Sequence, residues 1–181
     1  MATPSFAARL LRWYDANRRD LPWRRTRDPW AILVSEIMLQ QTRVEAVREP
    51  YARFLARYPR PSAFAAIGDD ELLTAWRGLG YYRRARLLRE AARTIRSEHG
   101  DRLPADPEAL RELSGIGAYT SGAVASIAFG HKVTAIDGNV ERVFARHLAI
   151  KDDIATAPAR RAVAEAAGLR IDGDRPGDPG R

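Results

Sequence analysis

Apolar residues recur every three and four positions along most of this chain, and no stretch alternates apolar and polar residues for long enough to make a strand. That spacing lines one face of an α-helix, so the sequence is confined to an all-α fold. A first amphipathic helix is predicted from Phe6 through Leu10, Leu11, Trp13 and Tyr14. The pair Asp28-Pro29 reads as an N-cap with proline at the first helical position, opening a helix that runs through Trp30 to about Thr42. Further helices are predicted at 44–58, 69–76, 83–98, 106–113, 119–129 and 138–148, joined by short Gly- or Pro-containing connections. No internal repeat is present. The last ten residues, 172–181, hold Gly, Pro and charge without periodicity and are expected to form a flexible tail.

Composition narrows the partners. A chain of 181 residues with 45% hydrophobic content can bury a real core. Thirty Lys and Arg against 23 Asp and Glu give a net charge of +7 and a pI near 10.3, which suits a polyanion such as nucleic acid. All the basic residues except Lys132 and Lys151 are arginine, which reads either as bidentate phosphate recognition or as a compositional bias. With no cysteine, disulfides, thiolate catalysis and Cys-ligated metal sites are excluded for these residues. No apolar run approaches the ~20 residues that cross a bilayer, so no membrane partner is expected and the cytoplasm is the expected compartment. The Arg-rich start resembles a transit peptide, but Asp15 and Asp20 within it argue against that reading.

Three segments carry candidate chemistry. In Ala31-Ile-Leu-Val-Ser-Glu36-Ile-Met-Leu39 a single carboxylate sits in a helix apolar nearly all round, which is the pattern of a buried helix. A buried carboxylate must be paired, capped or held protonated with a raised pKa, and the last of these is what a general acid needs. The competing reading places Glu36 on a solvated edge or in an ion pair with a neighbouring arginine. Leu113-Ser-Gly-Ile-Gly117 is a tight glycine hairpin between two predicted helices. Gly115 and Gly117 permit close backbone approach, and the N–H groups opening the next helix can bind a phosphate. An ordinary helix–turn–helix connection is the alternative. In the third segment, Asp137 precedes a helix and reads first as an N-cap. A second carboxylate is also what glycosidic bond cleavage wants, near the positive charge that develops on the sugar.

Together these segments resemble the helix–hairpin–helix DNA glycosylase superfamily, and more narrowly the MutY-type adenine DNA glycosylases. The resemblance is carried by Leu21-Pro-Trp-Arg24, Asp28-Pro29, Val34-Ser-Glu-Ile-Met-Leu-Gln-Gln-Thr42, Gly78-Leu-Gly-Tyr-Tyr-Arg83 and Ile136-Asp-Gly-Asn-Val-Glu-Arg-Val143, and covers roughly residues 5 to 170. It implies a helix–hairpin–helix glycosylase fold: an N-terminal helix (1–20) belonging to an incomplete terminal module, a six-helix barrel (21–130) with the hairpin near 108–130, then the aspartate loop and return helices (131–171). It implies that Glu36 protonates a departing adenine and that Asp137 stabilises the cationic sugar, with Tyr119 and Asn139 supporting them. Arg19, Leu21, Trp23, Arg24 and Leu39 match the neighbourhood of an extruded adenine. Gln41 and Tyr81 match residues that wedge into the duplex beside an opposing oxidised guanine, and Gly115, Gly117 and Thr120 complete the expected DNA contacts. For Trp23 and Trp30, core packing is the competing reading.

The expected partner is double-stranded DNA with adenine mispaired with oxidised guanine or guanine, bound by a monomer. Endonuclease III-like relatives carry a lysine where Tyr119 stands, so a hydrolytic enzyme without lyase chemistry is expected rather than a glycosylase-lyase. The resemblance also implies a [4Fe–4S] cluster held by four cysteines and a C-terminal domain, beginning after a motif matched by Arg175-Pro-Gly-Asp178. The chain holds none of those cysteines, so no cofactor and no metal site is expected in it. A non-catalytic DNA-binding helix–hairpin–helix fragment is the third reading.

Overall fold

The computed structural model describes residues 5–151 and 153–169, so the expected tail at 172–181 lies outside the described residues. Among the described residues there are ten α-helices, one short 3-10 turn and no strand. Helix α1 (Phe6–Asn17) is capped by Ser5, whose hydroxyl accepts from the Ala8 N–H. The turn Pro22–Arg24 leads into α2 (Pro29–Leu39), which begins as the sequence predicts: Asp28 caps the Trp30 N–H and Pro29 occupies the first turn, where its missing donor costs nothing. Every residue from Trp30 to Met38 is buried except Glu36, which is half-buried. A helix apolar all round needs neighbours on every side, and α2 packs against α3 (Val44–Arg57), α6 (Arg83–Glu98) and α8 (Ala118–Phe129).

Helix α2 stops at Leu39 rather than near Thr42, because Gln41 adopts a left-handed conformation (φ 55°) that no α-helix continues through. Helix α3 buries Val47, Tyr51 and Phe54 on one stripe, and Phe54 meets Phe64 at 4.8 Å and Tyr58 at 5.0 Å between ring centroids. Phe64 belongs to α4 (Pro61–Ala65), a helix too short to show a period in the sequence. It lies on α6, and Asp101 secures its start by accepting from the Ser62 N–H at 2.6 Å and the Ser62 hydroxyl at 2.7 Å. Helix α5 (Asp69–Ala75) packs on α6, and α7 (Pro107–Glu112) packs on α8.

Helices α9 (Gly138–His147) and α10 (Ala157–Gly168) pack on each other, and their buried residues, Ala145, Ala159, Val163, Ala166 and Ala167, stand apart from the main core. Phe6 joins α1 to this pair through Phe144 and His147. Among the described residues no helix is long and apolar enough to cross a membrane.

Candidate active site

The carboxylate of Glu36 enters the site from the one position between Trp30 and Met38 that is not buried, and the packing of α8 on α2 brings Tyr119, the second residue of α8, to face it. Burial pushes the Glu36 carboxyl above its ordinary 4.5, the Tyr119 hydroxyl opposes this by donating a hydrogen bond to the carboxylate, and the negative charge of Asp137 raises it further. The Tyr119 phenol is correspondingly driven upward by burial and by both carboxylates, so it stays protonated and donates to the Glu36 carboxylate. Two carboxylates in one electrostatic neighbourhood, one biased toward its acid form, give the division of labour that general acid catalysis with charge stabilisation requires.

Asp137 reaches this neighbourhood by capping α9. One oxygen accepts from the N–H groups of Asn139 at 3.0 Å and Val140 at 2.8 Å, and the other accepts from the Asn139 side-chain amide at 2.9 Å. Cap and site are therefore the same residue: the bonds that start the helix also hold the carboxylate in place. The segment leading to it runs tightly beside α8. A Cβ on Gly122 would stand 2.5 Å from the Thr134 carbonyl oxygen, so only glycine allows this approach. Sequence reasoning missed Gly122, since one glycine within a helical pattern carries no signal of what lies across from it.

The hairpin takes the expected place between α7 and α8. Gly115 has φ +78°, and a Cβ there would meet the Leu87 Cβ at 2.8 Å, so both backbone conformation and packing on α6 demand glycine. Gly117 is the N-cap of α8 in extended conformation, leaving the first-turn N–H groups of that helix without side-chain caps. Thr120, in the first turn of α8, is buried as a whole residue.

Gln41 and Tyr81 are both exposed and both left-handed, with φ 55° and 47°. They border one cavity of about 780 Å³ together with Arg83, Arg86 and Gly115, so the two turns and the hairpin face a common space. The residues matched to an adenine pocket are less uniform. Leu21 and Trp23 are buried in the core, with Trp23 edge-on to Tyr51 at 5.4 Å, and Leu39 packs partly buried against the same core. Arg19 is exposed and pairs with Glu45 at 3.8 Å, while Arg24 donates to the Arg19 carbonyl and stacks over Tyr14. Trp30 is a core residue whose indole N–H donates to the Tyr58 carbonyl at 2.9 Å. A separate apolar cavity of about 620 Å³ reaches Tyr119, Asp137 and Asn139 but not Glu36, so it flanks the carboxylate pair and does not enclose it.

An all-helical core with a glycine hairpin between α7 and α8, and two carboxylates gathered beside that hairpin's second helix, defines a helix–hairpin–helix protein. The chain belongs to the HhH-GPD superfamily of base excision DNA repair proteins, whose family model matches residues 34–167. It is 41% identical over 183 residues to a human adenine DNA glycosylase, covering 96% of this chain and 34% of that protein. It is 51% identical over 138 residues to an adenine DNA glycosylase of Mycolicibacterium smegmatis, covering 76% of this chain and 47% of the relative. Among solved structures, a thermostable thymine-DNA glycosylase superposes with a TM-score of 0.83 at 31% identity, covering 93% of this chain and 77% of that one. The chain thus spans about a third to a half of the adenine glycosylases' own length.

The [4Fe–4S] cluster implied by the resemblance does not fit these residues. The sequence has no cysteine, and among the described residues no group of three or more His, Cys, Asp or Glu is placed to hold a metal ion.

Proposed function

We propose that this chain hydrolyses the N-glycosidic bond of an adenine extruded from duplex DNA, the adenine standing opposite oxidised guanine or guanine. The observation that carries the reading is the Glu36–Tyr119–Asp137 cluster: a carboxyl biased toward its acid form, a protonated phenol that donates to it, and a second carboxylate anchored by a helix cap. In the proposed step Glu36 gives its proton to a ring nitrogen of the adenine as the bond from C1′ to the base breaks, and the bonding electrons leave with the base. The sugar becomes cationic at C1′, where Asp137 stabilises it. Water then adds at C1′ and loses a proton, leaving an abasic site. Tyr119 presents no amine, so no Schiff base forms at that position and the strand is not cut by this route.

On this reading Leu21, Trp23, Leu39, Arg19 and Arg24 shape the adenine's neighbourhood, with the buried members acting through the shape of the wall. Gln41 and Tyr81 enter the duplex, and the hairpin around Gly115 and Gly117 with the first turn of α8 through Thr120 holds the backbone by its N–H groups. The chain works as a monomer in the cytoplasm, on the nucleoid.

The similarity to a thymine-DNA glycosylase over most of that protein's length supports a second reading, release of thymine. The 51% identity to the adenine glycosylase of Mycolicibacterium smegmatis, against 41% to a thymine-DNA glycosylase of Aeropyrum pernix, favours the first. The test is single-turnover base release from duplexes carrying adenine opposite oxidised guanine or thymine opposite guanine, with strand cleavage scored before and after alkali. Adenine release with cleavage only after alkali supports the first reading. Thymine release supports the second, and salt-dependent duplex binding without release of either base refutes both.

A further inference from the structure

The two left-handed turns that carry Gln41 and Tyr81 share one half-buried cation. Arg84 Nη1 donates to the carbonyls of Ile37 at 2.8 Å, Met38 at 3.0 Å and Gln40. Its Nη2 donates to the Thr42 hydroxyl at 3.0 Å and to the carbonyls of Leu79 at 3.0 Å and Gly80 at 3.3 Å. The acceptors thus bracket Gln41 on one side and immediately precede Tyr81 on the other. The guanidinium also lies 5.5 Å from the Tyr81 ring centroid and 5.7 Å from that of Trp76.

No carboxylate pairs with Arg84 among the described residues; neutral carbonyls, a hydroxyl and two aromatic faces take its charge. Its Nε is buried without a partner. A half-buried arginine whose Nε is sealed off without a partner and whose fork is spread over two turns is not serving as a free surface charge. The left-handed conformations of Gln41 and Tyr81 are themselves unfavourable for non-glycine residues, and they persist only where the surroundings dictate them.

We propose that Arg84 is a positioning residue: it locks the turns at 39–42 and 78–81 to one another and to the end of α2, so that Gln41 and Tyr81 project ready to enter a duplex. The proposal rests on the reading of those two side chains as duplex-inserting. Because Ile37 and Met38 follow Glu36 directly, the same clamp ties the acid's helix to the inserting turns.

The test compares the full 181-residue chain with Arg84→Lys, which keeps a positive charge but cannot fork, and with Thr42→Val, which keeps the arginine but removes one of its acceptors together with the hydroxyl's own bonds to the Gln40 and Leu79 carbonyls. Amide hydrogen exchange is read at Thr42 and Leu79, whose N–H groups close the two turns on Leu39 and Trp76. Unstacking is read by fluorescence of 2-aminopurine placed beside adenine opposite oxidised guanine in a duplex saturated with protein. For Arg84→Lys, exchange at both amides should accelerate at least tenfold with α3 amides unchanged, and the 2-aminopurine signal should be lost. Thr42→Val should move both readouts the same way by less.

Parental exchange, or a parental fluorescence signal despite faster exchange, overturns the proposal. If Arg84→Lys does not fold, Arg84→Gln, which leaves the Thr42 hydroxyl and its bond to Leu79 in place, decides: both readouts unchanged overturns it, and both shifted supports it. A parental chain that gives no fluorescence signal refutes the duplex-inserting reading of Gln41 and Tyr81, while the exchange data still decide whether Arg84 clamps the turns.

Discussion

Replacing Gly122 by alanine tests whether the Asp137 segment is placed by backbone contact with α8. The new Cβ would lie 2.5 Å from the Thr134 carbonyl oxygen, 3.3 Å from its carbonyl carbon and 3.5 Å from the Ala135 Cα. Contacts below 3.0 Å are not tolerated, so the two backbones must separate by about 0.5 Å or more. Inserting a methyl into a packed contact of this kind costs about 1–3 kcal/mol. Alanine in a helix interior returns about 1 kcal/mol over glycine. The net loss of stability is therefore about 0–2 kcal/mol, small enough to leave the chain folded.

The effect on chemistry should be larger, because the backbone that moves is three residues from Asp137 while Glu36 and Tyr119 stay with α2 and α8. Catalytic groups tolerate about 0.5 Å of misplacement, and about 1 Å costs on the order of 100-fold. Single-turnover base release should fall by about 10- to 100-fold while duplex affinity stays within a few-fold of the parent. Urea denaturation of the same samples gives the stability change. A variant more stable by about 1 kcal/mol with the parental rate would refute the close approach and the positioning that follows from it.

Three further outcomes follow from the cluster. Glu36→Gln should abolish base release yet leave duplex binding nearly intact. The Glu36 carboxyl sits above its ordinary 4.5 in the folded chain, so the native state loses stability as pH rises from that value through the raised pKa. The amide variant should therefore be more stable than the parent at pH 8, with the difference vanishing below about pH 4, as urea melts at the two pH values would report. Tyr119→Phe removes the hydrogen bond that favours the Glu36 carboxylate, so the alkaline limb of the pH–rate profile should move to higher pH; a shift downward would contradict the assigned donor role. Asp137→Asn keeps a competent N-cap, so stability should change by less than about 1 kcal/mol. Loss of the charge should slow release by on the order of 100-fold or more, and an unaltered single-turnover rate would remove Asp137 from the mechanism.

What the sequence determined by itself is whatever a local pattern can carry. The period of three and four residues marked α2, α3, α6, α8 and α9, and the caps at Asp28 and Asp137 marked where helices begin, because an N-cap bonds only to the next turn of its own chain. The lone carboxylate in an apolar helix stood out at Glu36 for the same reason, since burial of the helix follows from its composition. Tertiary structure alone decided that Tyr119 faces Glu36 and that Asp137 shares its electrostatic neighbourhood, because those residues lie on three helices whose packing no local pattern records. It also decided that α2 ends at Leu39, that Gly122 is a contact with residue 134 and not a flaw in a helix, and that one arginine among many, Arg84, holds two distant turns. Each of these depends on backbone atoms brought together from far apart in the chain, and a carbonyl oxygen looks the same in every residue of a sequence.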